Sequence, residues 1–304
     1  MIYLFLNNGG LGNQMFQYAM ARRLQLEYDM DIVCDLTSFN YKGTSATQRA
    51  YCLDTFNITD RMIYRKAVLP RVYSKMVKTF ISKNCSDPSE CYKKLTQKGI
   101  YAPDGYCDYY AGEHSKSPNL YVKGLFQAHR YFDDIRSVLK EDFIFRNSPS
   151  KEVDQLLCRM QAEEAVCIHW RRGDYLQQQY RDSLLVCSDS YYERGIQRIL
   201  QKVPNPVFYV FTNSVEDAEW IRSNHSFQVP VHYVNCMMKE EHTDMDDFRL
   251  MCACRHFILS NSTFSWWAQY LSLDFSKIVV APSVWNRTID ASELYLDNWE
   301  VIPV

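Results

Sequence analysis

Short apolar runs alternate with helix-patterned segments through the second half of the chain, and this alternation constrains the fold more than any other feature. The strand-like runs cover residues 165–170, 207–211, 231–234, 257–259 and 278–281. The helical segments between them lie near residues 190–201, 216–223, 247–256 and 264–273. Strands that alternate with helices form parallel sheets with helices on both faces. The pattern therefore predicts a doubly wound α/β domain in this half.

The first half begins with a related pattern. Residues 2–6 are apolar enough for a buried strand, residues 7–12 form a glycine-rich turn, residues 13–28 are patterned as a helix, and residues 31–35 form a second strand.

The pattern weakens between residues 41 and 97 and returns with a strand at 120–122 and a helix at 131–140. The polar stretch 147–150, which includes a proline, breaks it again. We therefore expect two domains, at residues 1–146 and 151–304.

The glycine-rich turn allows three interpretations. Gly10 and Gly12, with Asp35 after the next strand, resemble part of a dinucleotide-binding fingerprint, but its third glycine position is Met15. A tight turn that needs glycine dihedral angles explains the same residues and is favoured over a nicotinamide cofactor. In the third interpretation, the turn with Asn13 and Gln14 offers donors to a sugar or phosphate bound by another domain.

A pair of arginines follows the apolar run 165–168. Arg171 and Arg172 should emerge with His169 at the carboxyl end of a buried strand, where open α/β sheets bind ligands. Two adjacent guanidinium groups repel each other, so a diphosphate or a carboxylate would be a physical reason to hold them together. In the alternative interpretation, one arginine pairs with Asp174 and the other is solvated.

Residues 261–267 place small hydroxyl side chains between a predicted strand and a predicted helix. Donors at the positive end of a helix form an anion site. The same residues also suit a simple helix cap with two tryptophans in the core, and both interpretations can hold at once. Asp247, at the start of the preceding helix, could accept hydrogen bonds from a guanine base.

Two further stretches suggest chemistry. Asp244 and Asp246 could chelate a divalent metal, but after Thr243 they also suit the start of a helix, which we favour. Residues 101–114 are rich in tyrosine and aspartate, a composition that suits either a carbohydrate cleft or an ordinary covering loop.

Composition narrows the class of protein. A net charge of -2 gives no general basic field for nucleic acid. The apolar run at residues 2–6 is too short for a signal peptide or a membrane span, and nothing else approaches spanning length. The 11 cysteines include no Cys-x-x-Cys pair. We expect reduced core cysteines, no zinc site and a cytoplasmic protein.

Taken together, the motifs resemble the bacterial α1,2-fucosyltransferases of glycosyltransferase family 11. The matching segments are residues 9–18, 124–127 with 131–132, 169–175, and 247 with 261–267. They occur in family order along most of the chain. The resemblance implies an α/β fold of the GT-B type, with two Rossmann-like domains facing across a cleft. The first domain would face the acceptor and the second would hold GDP-L-fucose.

The resemblance also implies roles for individual residues. Arg171 and Arg172 would bind the donor diphosphate, and His169 and Asp247 the guanine. A second set would bind the β-phosphate: Asn261, Ser262, Thr263 and Phe264. A third set would line the fucose from the opposite domain: Gly12, Asn13 and Gln14.

The implied reaction inverts the anomeric carbon as the 2-hydroxyl of a terminal galactose displaces GDP, with no cofactor and no metal ion. Asp174 is the candidate base, although it could instead orient the arginines. The chain departs from the family at residues 212–214, Thr-Asn-Ser, where the family has Ser-Asp-Asp.

The resemblance implies GDP-fucose and a galactose-terminated glycan, free or lipid-linked, as partners, and a location in the cytoplasm or at the inner membrane face. Two alternatives stay open at this point: a related transferase of another linkage, and a non-catalytic glycan- or nucleotide-binding protein.

Overall fold

The computed structural model describes residues 1–7, 9–40, 50–65, 87–103, 105–176, 182–184, 186–238, 242–272 and 276–304. The chain divides into two compact units. The first unit comprises Met1–Arg146 and Ala291–Leu294, and the second comprises Asn147–Asp290 and Tyr295–Val304.

The first unit contains a parallel sheet with five strands among its described residues, in the order β3-β2-β1-β5-β4. Their bounds are β1 Ile2–Phe5, β2 Ile32–Asp35, β3 Met62–Arg65, β4 Ile100–Tyr101 and β5 Leu120–Val122. The apolar side chains of β1 and β2 are buried, as their composition predicts. The carboxyl ends of these parallel strands lie at one edge of the sheet.

Helix α1, Leu11–Tyr28, follows β1 directly. It is buried along most of its length, and Gly10 precedes it in an extended conformation. It ends at Asp29, which adopts a left-handed conformation typical of helix C-caps. Helices α2, Pro88–Gln97, and α3, Arg136–Asp142, complete the described α-helices of this unit.

The second unit contains a parallel sheet with six strands among the residues described, in the order β11-β10-β9-β6-β7-β8. The bounds are β6 Glu164–His169, β7 Pro206–Phe211, β8 Val231–Tyr233, β9 His256–Ile258, β10 Val279–Pro282 and β11 Glu300–Ile302. Strand β6 lies between β7 and β9, so the carboxyl ends of all three meet at one edge.

Helices alternate with these strands. They are α4 Lys151–Ala162, α5 Asp189–Leu200, α6 Val215–Asn224, the short α7 Val234–Met237, α8 Asp244–Ala253 and α9 Thr263–Leu271. Helix α5 packs closely against β9. A Cβ atom added to Gly195 would lie only 2.8 Å from Cγ2 of Ile258. Glycine is required there for packing rather than for its dihedral angles.

The predicted alternation of strands and helices in this half is confirmed, with some differences. Helices α4 and α7 and strand β11 were not predicted. The helix expected near 247–256 is α8, which begins earlier because Thr243 caps it, and His256 belongs to β9. In the first unit, the helix expected at 131–140 begins only at Arg136, after two 3₁₀ turns.

The cysteine expectation is partly wrong. Nine of the described cysteines are free thiols, and two of them, Cys34 and Cys167, are buried in strands as expected. Cys91, in α2, is disulfide-bonded, and its partner lies outside the described residues. Among the described helices, none combines the length and the apolar character that a bilayer crossing requires.

Candidate functional site

The carboxyl end of β6 carries the residues that the sequence singled out. His169 ends the strand and is 4% exposed. Its Nδ1 lies 2.9 Å from the Ser260 hydroxyl, just beyond β9. Burial, with a further effect from the charge of Arg171, lowers the pKa of His169 to about 3. The imidazole is therefore neutral at physiological pH and can both donate and accept a hydrogen bond.

Trp170 fixes the path of the chain between His169 and the arginines. Its ring is buried and stacks on Tyr192 of α5, with ring centroids 4.0 Å apart. Its backbone N–H donates to the Phe211 carbonyl, which ends β7. The Tyr192 hydroxyl donates to the His169 carbonyl. The segment before the arginine pair is thus held by contacts from β7 and α5.

Arg172 is held by residues at the start of α6. Its guanidinium carbon lies 3.2 Å from the ring centroid of Trp220, a cation–π contact. Its Nε is 3.9 Å from Oδ1 of Asp217, and this buried Nε has no hydrogen-bond partner among the described residues. Oδ2 of Asp217 accepts from the Gly173 N–H, and Oδ1 of Asn213 accepts from the Arg172 N–H.

Asn213, Asp217 and Trp220 were not predicted as site residues. Asn213 lies in the segment 212–214 that departs from the family pattern. The signal that could have found the other two is spacing, because residues 217 and 220 lie on one face of a helix that starts at the carboxyl end of β7.

Arg171 lies near a tyrosine that links two of the motifs. Its guanidinium carbon is 5.4 Å from the ring centroid of Tyr175. The Tyr175 hydroxyl donates to the Asn261 carbonyl at 2.8 Å, just before α9. The structure therefore brings the arginine segment and the hydroxyl-rich segment together at adjacent strand ends. Both were predicted to lie along one edge of the sheet.

The start of α9 combines a helix cap with buried polar groups. The Ser262 hydroxyl accepts from the Phe264 N–H, so Ser262 is the N-cap. Asn261 donates from Nδ2 to the Trp285 carbonyl, and its buried Oδ1 has no partner among the described residues. Trp266 and Trp267 are fully buried. The interpretation of this stretch as a helix cap with two core tryptophans is confirmed.

Thr263, Phe264 and Asp247 extend this edge of the sheet. Thr263 is the first residue of α9 and is half-buried. The Phe264 ring lies between His169, at 6.2 Å, and Phe248 of α8, at 5.0 Å, both measured between ring centroids. Asp247 is the neighbour of Phe248 in α8, so the start of α8 lies beside the start of α9.

Asp247 is already paired with a residue that the sequence had not indicated. Its Oδ1 lies 2.7 Å from Nε2 of His242, and the Asn235 side chain also hydrogen-bonds it. Burial raises the pKa of Asp247 above its usual value, against the opposing effect of His242. Burial also lowers the pKa of His242, but the hydrogen bond to Asp247 and the nearby acidic charges outweigh this, so the net shift is upward. Both groups therefore bind a proton more tightly than they would in water.

Asp244 and Asp246 lie at the start of α8, as expected for helix-start residues. The Asp246 carboxylate accepts from the Thr243 N–H and hydroxyl, and the Thr243 hydroxyl accepts from the Asp246 N–H. This reciprocal arrangement is a capping box. In the described part of the chain, no group of three His, Cys, Asp or Glu side chains is placed to hold a metal ion.

Asp174, the candidate base, lies in the 3₁₀ turn Gly173–Leu176. Its side chain lies outside the part of the chain that the structure describes, so its role stays a prediction.

The glycine turn of the first unit is held by Gln14. The Gln14 amide donates to the carbonyls of Gly9 and Ala50, both at 2.8 Å, and its Oε1 accepts from the Cys52 N–H at 3.0 Å. Gln14 is fully buried, and both of its amide hydrogens are engaged. Gln14 therefore holds the turn, and its expected contact with the sugar stays a prediction.

Gly12 and Asn13 differ from Gln14. Gly12 lies in the first turn of α1 and is buried. Asn13 is half-buried, and its Oδ1 accepts from the Gln127 amide at 2.8 Å. Gln127 belongs to the mid-chain segment of the resemblance, so two of its segments meet in this unit. Asp35, the residue of the dinucleotide interpretation, accepts from the N–H and hydroxyl of Thr37 in its own turn.

Comparison with known proteins agrees with these observations. The family model described as glycosyl transferase family 11 matches residues 1–303. The O-antigen biosynthesis glycosyltransferase WbnK of Escherichia coli is 27% identical, over 96% of this chain and 97% of that protein. An alpha-1,2-colitosyltransferase of Escherichia coli is also 27% identical, over 91% and 90% respectively. The human galactoside alpha-(1,2)-fucosyltransferase 1 is 28% identical over 52% of this chain and 44% of its own length.

A solved structure supports the fold. The NodZ alpha-1,6-fucosyltransferase soaked with GDP-fucose superimposes with a TM-score of 0.51 at 13% identity, covering 90% of this chain and 94% of that one. The fold is α/β of the GT-B type, as expected. With the family model matching nearly every residue, the chain belongs to glycosyl transferase family 11.

Proposed function

We propose that this chain transfers L-fucose from GDP-β-L-fucose to the 2-hydroxyl of a terminal galactose in a glycan, with inversion and without a metal ion. One observation carries the proposal. Paired arginines and a hydroxyl-rich helix start lie at adjacent strand ends, joined by the hydrogen bond from Tyr175 to Asn261. The names of two relatives, a colitosyltransferase and a fucosyltransferase, support the α1,2 linkage.

The donor diphosphate would bind at this edge of the second unit. Arg171 and Arg172 supply two permanent positive charges with planar hydrogen-bond geometry. The start of α9 supplies a helix dipole with the Ser262 and Thr263 hydroxyls and the Phe264 N–H, which would receive the β-phosphate. Oδ1 of Asn261, which has no hydrogen-bond partner among the described residues, is an acceptor for a donor hydroxyl.

The guanine base would bind between α8 and the end of β6. The Asp247 carboxylate suits the ring and amino N–H groups of guanine, and His242 and Asn235 hold that carboxylate in place. His169 is neutral and can donate to or accept from the nucleotide. The Phe264 ring beside His169 supplies an apolar surface.

The chemical step is a single displacement. The galactose O2 forms a bond to C1 of fucose as the C1–O bond to GDP breaks, and the hydroxyl proton passes to a base, for which we propose Asp174. The leaving diphosphate gains negative charge in the transition state. Arginines fixed by Trp170, Trp220 and Tyr175 stabilise that charge without reorganising. Gly12 and Asn13 of the first unit are proposed contacts to the fucose.

A second donor sugar has a specific observation in its favour. The relative named as an alpha-1,2-colitosyltransferase matches nearly the whole chain. Colitose is the 3-deoxy analogue of L-fucose, so only a site that hydrogen-bonds the 3-hydroxyl can separate the two donors strongly. Such sites reject the deoxy analogue by about four orders of magnitude, whereas sites without the contact discriminate weakly.

The test is GDP release by the purified protein in excess EDTA, with GDP-fucose or GDP-colitose and galactose-terminated oligosaccharides as acceptors. The linkage of the product is determined by NMR. We expect acceptor-dependent release with GDP-fucose and an α1,2 product. A product of another linkage would contradict the proposed acceptor hydroxyl. Activity only with GDP-colitose would show that the donor is GDP-colitose and not GDP-fucose. Activity that needs manganese would contradict metal independence, and GDP binding without turnover would indicate a binding protein.

A further inference from the structure

A cavity of about 340 Å³ lies in the first unit, apart from the glycine turn. It is bounded by the C-terminal half of α1, by Tyr92 of α2, by the segment 109–114 and by residues 130–134. Met20, Arg23 and Glu27 contribute from α1. At a rise of about 1.5 Å per residue, the nearest of them, Met20, lies about 10 Å along α1 from Asn13.

Tyrosines form much of the cavity wall. Tyr92, Tyr101 and Tyr131 are buried, and Tyr109 and Tyr110 are half-buried. Tyr109 lies 4.9 Å from Tyr131 between ring centroids, and the Arg130 guanidinium carbon lies 4.1 Å from the Tyr109 centroid. These contacts fix the orientation of Tyr109. Rigid aromatic faces suit the apolar face of a sugar ring.

Charged groups at the cavity neutralise one another. Arg23 binds Glu27 through Nη1 at 2.7 Å and Asp134 through Nε at 3.2 Å. Arg130 binds Glu293 at 3.1 Å, and the His114 ring lies 3.5 Å from Glu27. An anion would meet the carboxylates and a cation would meet the guanidinium groups. A neutral ligand with many hydroxyls could donate hydrogen bonds to the carboxylates and accept them from the guanidinium groups.

Tyr92 adds a buried polar group to the residues of the cavity wall. Tyr92 is 2% exposed and lines the cavity. Its hydroxyl has no hydrogen-bond partner among the described residues. Burial raises the pKa of Tyr92 well above its usual value, so the hydroxyl stays a neutral donor and acceptor. Buried polar groups are normally paired, so a hydroxyl without a partner among the described residues is unusual in a residue of the cavity wall.

We propose that this cavity binds a neutral saccharide. It would be a glycan site separate from the glycine turn, and it would hold the part of the acceptor that extends beyond the reacting galactose. The choice of a saccharide rests on the proposed function, in which a glycan is the acceptor. Stacking on the tyrosines and hydrogen bonds to Glu27, Asp134 and Arg23 would supply the affinity. Longer acceptors would then bind more tightly than a disaccharide.

The experiment measures dissociation constants of galactose-terminated oligosaccharides of two to six sugars for the full chain, by calorimetry and saturation-transfer NMR. The variants are Tyr109→Leu and Asp134→Asn. Their matched controls are Tyr106→Leu, which is 53% exposed and does not line the cavity, and Asp133→Asn. Thermal unfolding checks that all four are folded, and GDP affinity checks the second unit.

We expect the longer oligosaccharides to bind the wild type and both controls equally, and each cavity variant at least fivefold more weakly. No binding of any oligosaccharide by the wild type would overturn the proposal. Equal binding by folded cavity variants and controls would overturn it as well. Glycan binding that depends on Tyr109, without fucose transfer, would support this site while the proposed function failed. Fucose transfer by the wild type, with oligosaccharide binding unchanged by Tyr109→Leu and Asp134→Asn, would support the proposed function while overturning this site.

Discussion

Arg172 shows how one side chain is prepared for a ligand. The Trp220 ring covers a face of the guanidinium group at 3.2 Å, and Asp217 lies beside Nε. The buried Nε has no hydrogen-bond partner among the described residues. Trp220 is 40% exposed, which is unusual for a tryptophan with only a packing role.

We therefore expect Trp220→Leu to raise the KM for GDP-fucose about five- to tenfold, because a cation–π contact contributes about 1 kcal/mol or more. The KM for the acceptor should not change. Trp220→Phe keeps an aromatic face and should restore most of the donor affinity. Steady-state kinetics with each substrate varied in turn checks this. Equal effects of the two substitutions would show that Trp220 acts through packing alone.

His169 makes a prediction about stability and pH. Its pKa is about 3 in the folded protein, below the ordinary value of 6.5, so below pH 6.5 the unfolded chain takes up a proton that the folded chain does not. His169 therefore reduces stability as pH falls from about 6.5 towards 3, by up to about 1.4 kcal/mol per pH unit. Urea unfolding of His169→Gln between pH 5 and 8 should show a shallower fall below pH 6.5 than the wild type. Parallel curves would contradict a neutral buried imidazole.

At the scale of elements, the start of α9 has two roles that can be separated. Ser262 caps the helix and is a proposed phosphate ligand, whereas Ser150 caps α4 in the same unit and has no proposed ligand role. Removing a serine cap costs about 1 kcal/mol of stability. We expect Ser262→Ala and Ser150→Ala to lower the free energy of unfolding by similar amounts. Only Ser262→Ala should weaken GDP binding, by about tenfold in titration calorimetry. Equal GDP affinity in both variants would assign Ser262 to capping alone.

Elements were predictable where their pattern was long. Strands β6 and β7, with six residues each, and the helices after them follow directly from periodicity. Strand β4 has only two residues, too few to show alternation. Helix α4 was missed because Ser150 was interpreted as part of a chain break. The Ser150 hydroxyl in fact accepts a hydrogen bond from the Val153 N–H, so Ser150 is the N-cap of this helix.

At the scale of the whole molecule, the rule that parallel strands end at one edge predicted most of the candidate donor site. It placed His169, Arg171 and the 261–264 segment together without knowledge of any side-chain contact. The supporting residues could not be predicted in the same way, because partners such as Trp220 and His242 depend on which face of a helix packs inward. The hydrogen bonds by which Gln14 holds the glycine turn were likewise not predicted from the sequence.

We propose that the second unit binds the donor diphosphate through its paired arginines. Titration calorimetry of GDP in excess EDTA, on the wild type, Arg171→Ala, and Arg198→Ala as an exposed control on α5, tests it most directly. We expect the wild type and Arg198→Ala to bind GDP equally. Arg171→Ala should stay folded and bind at least tenfold more weakly, because a charge-assisted hydrogen bond contributes about 1.5–3 kcal/mol. Undiminished GDP binding by folded Arg171→Ala, or no GDP binding by the wild type, would contradict it.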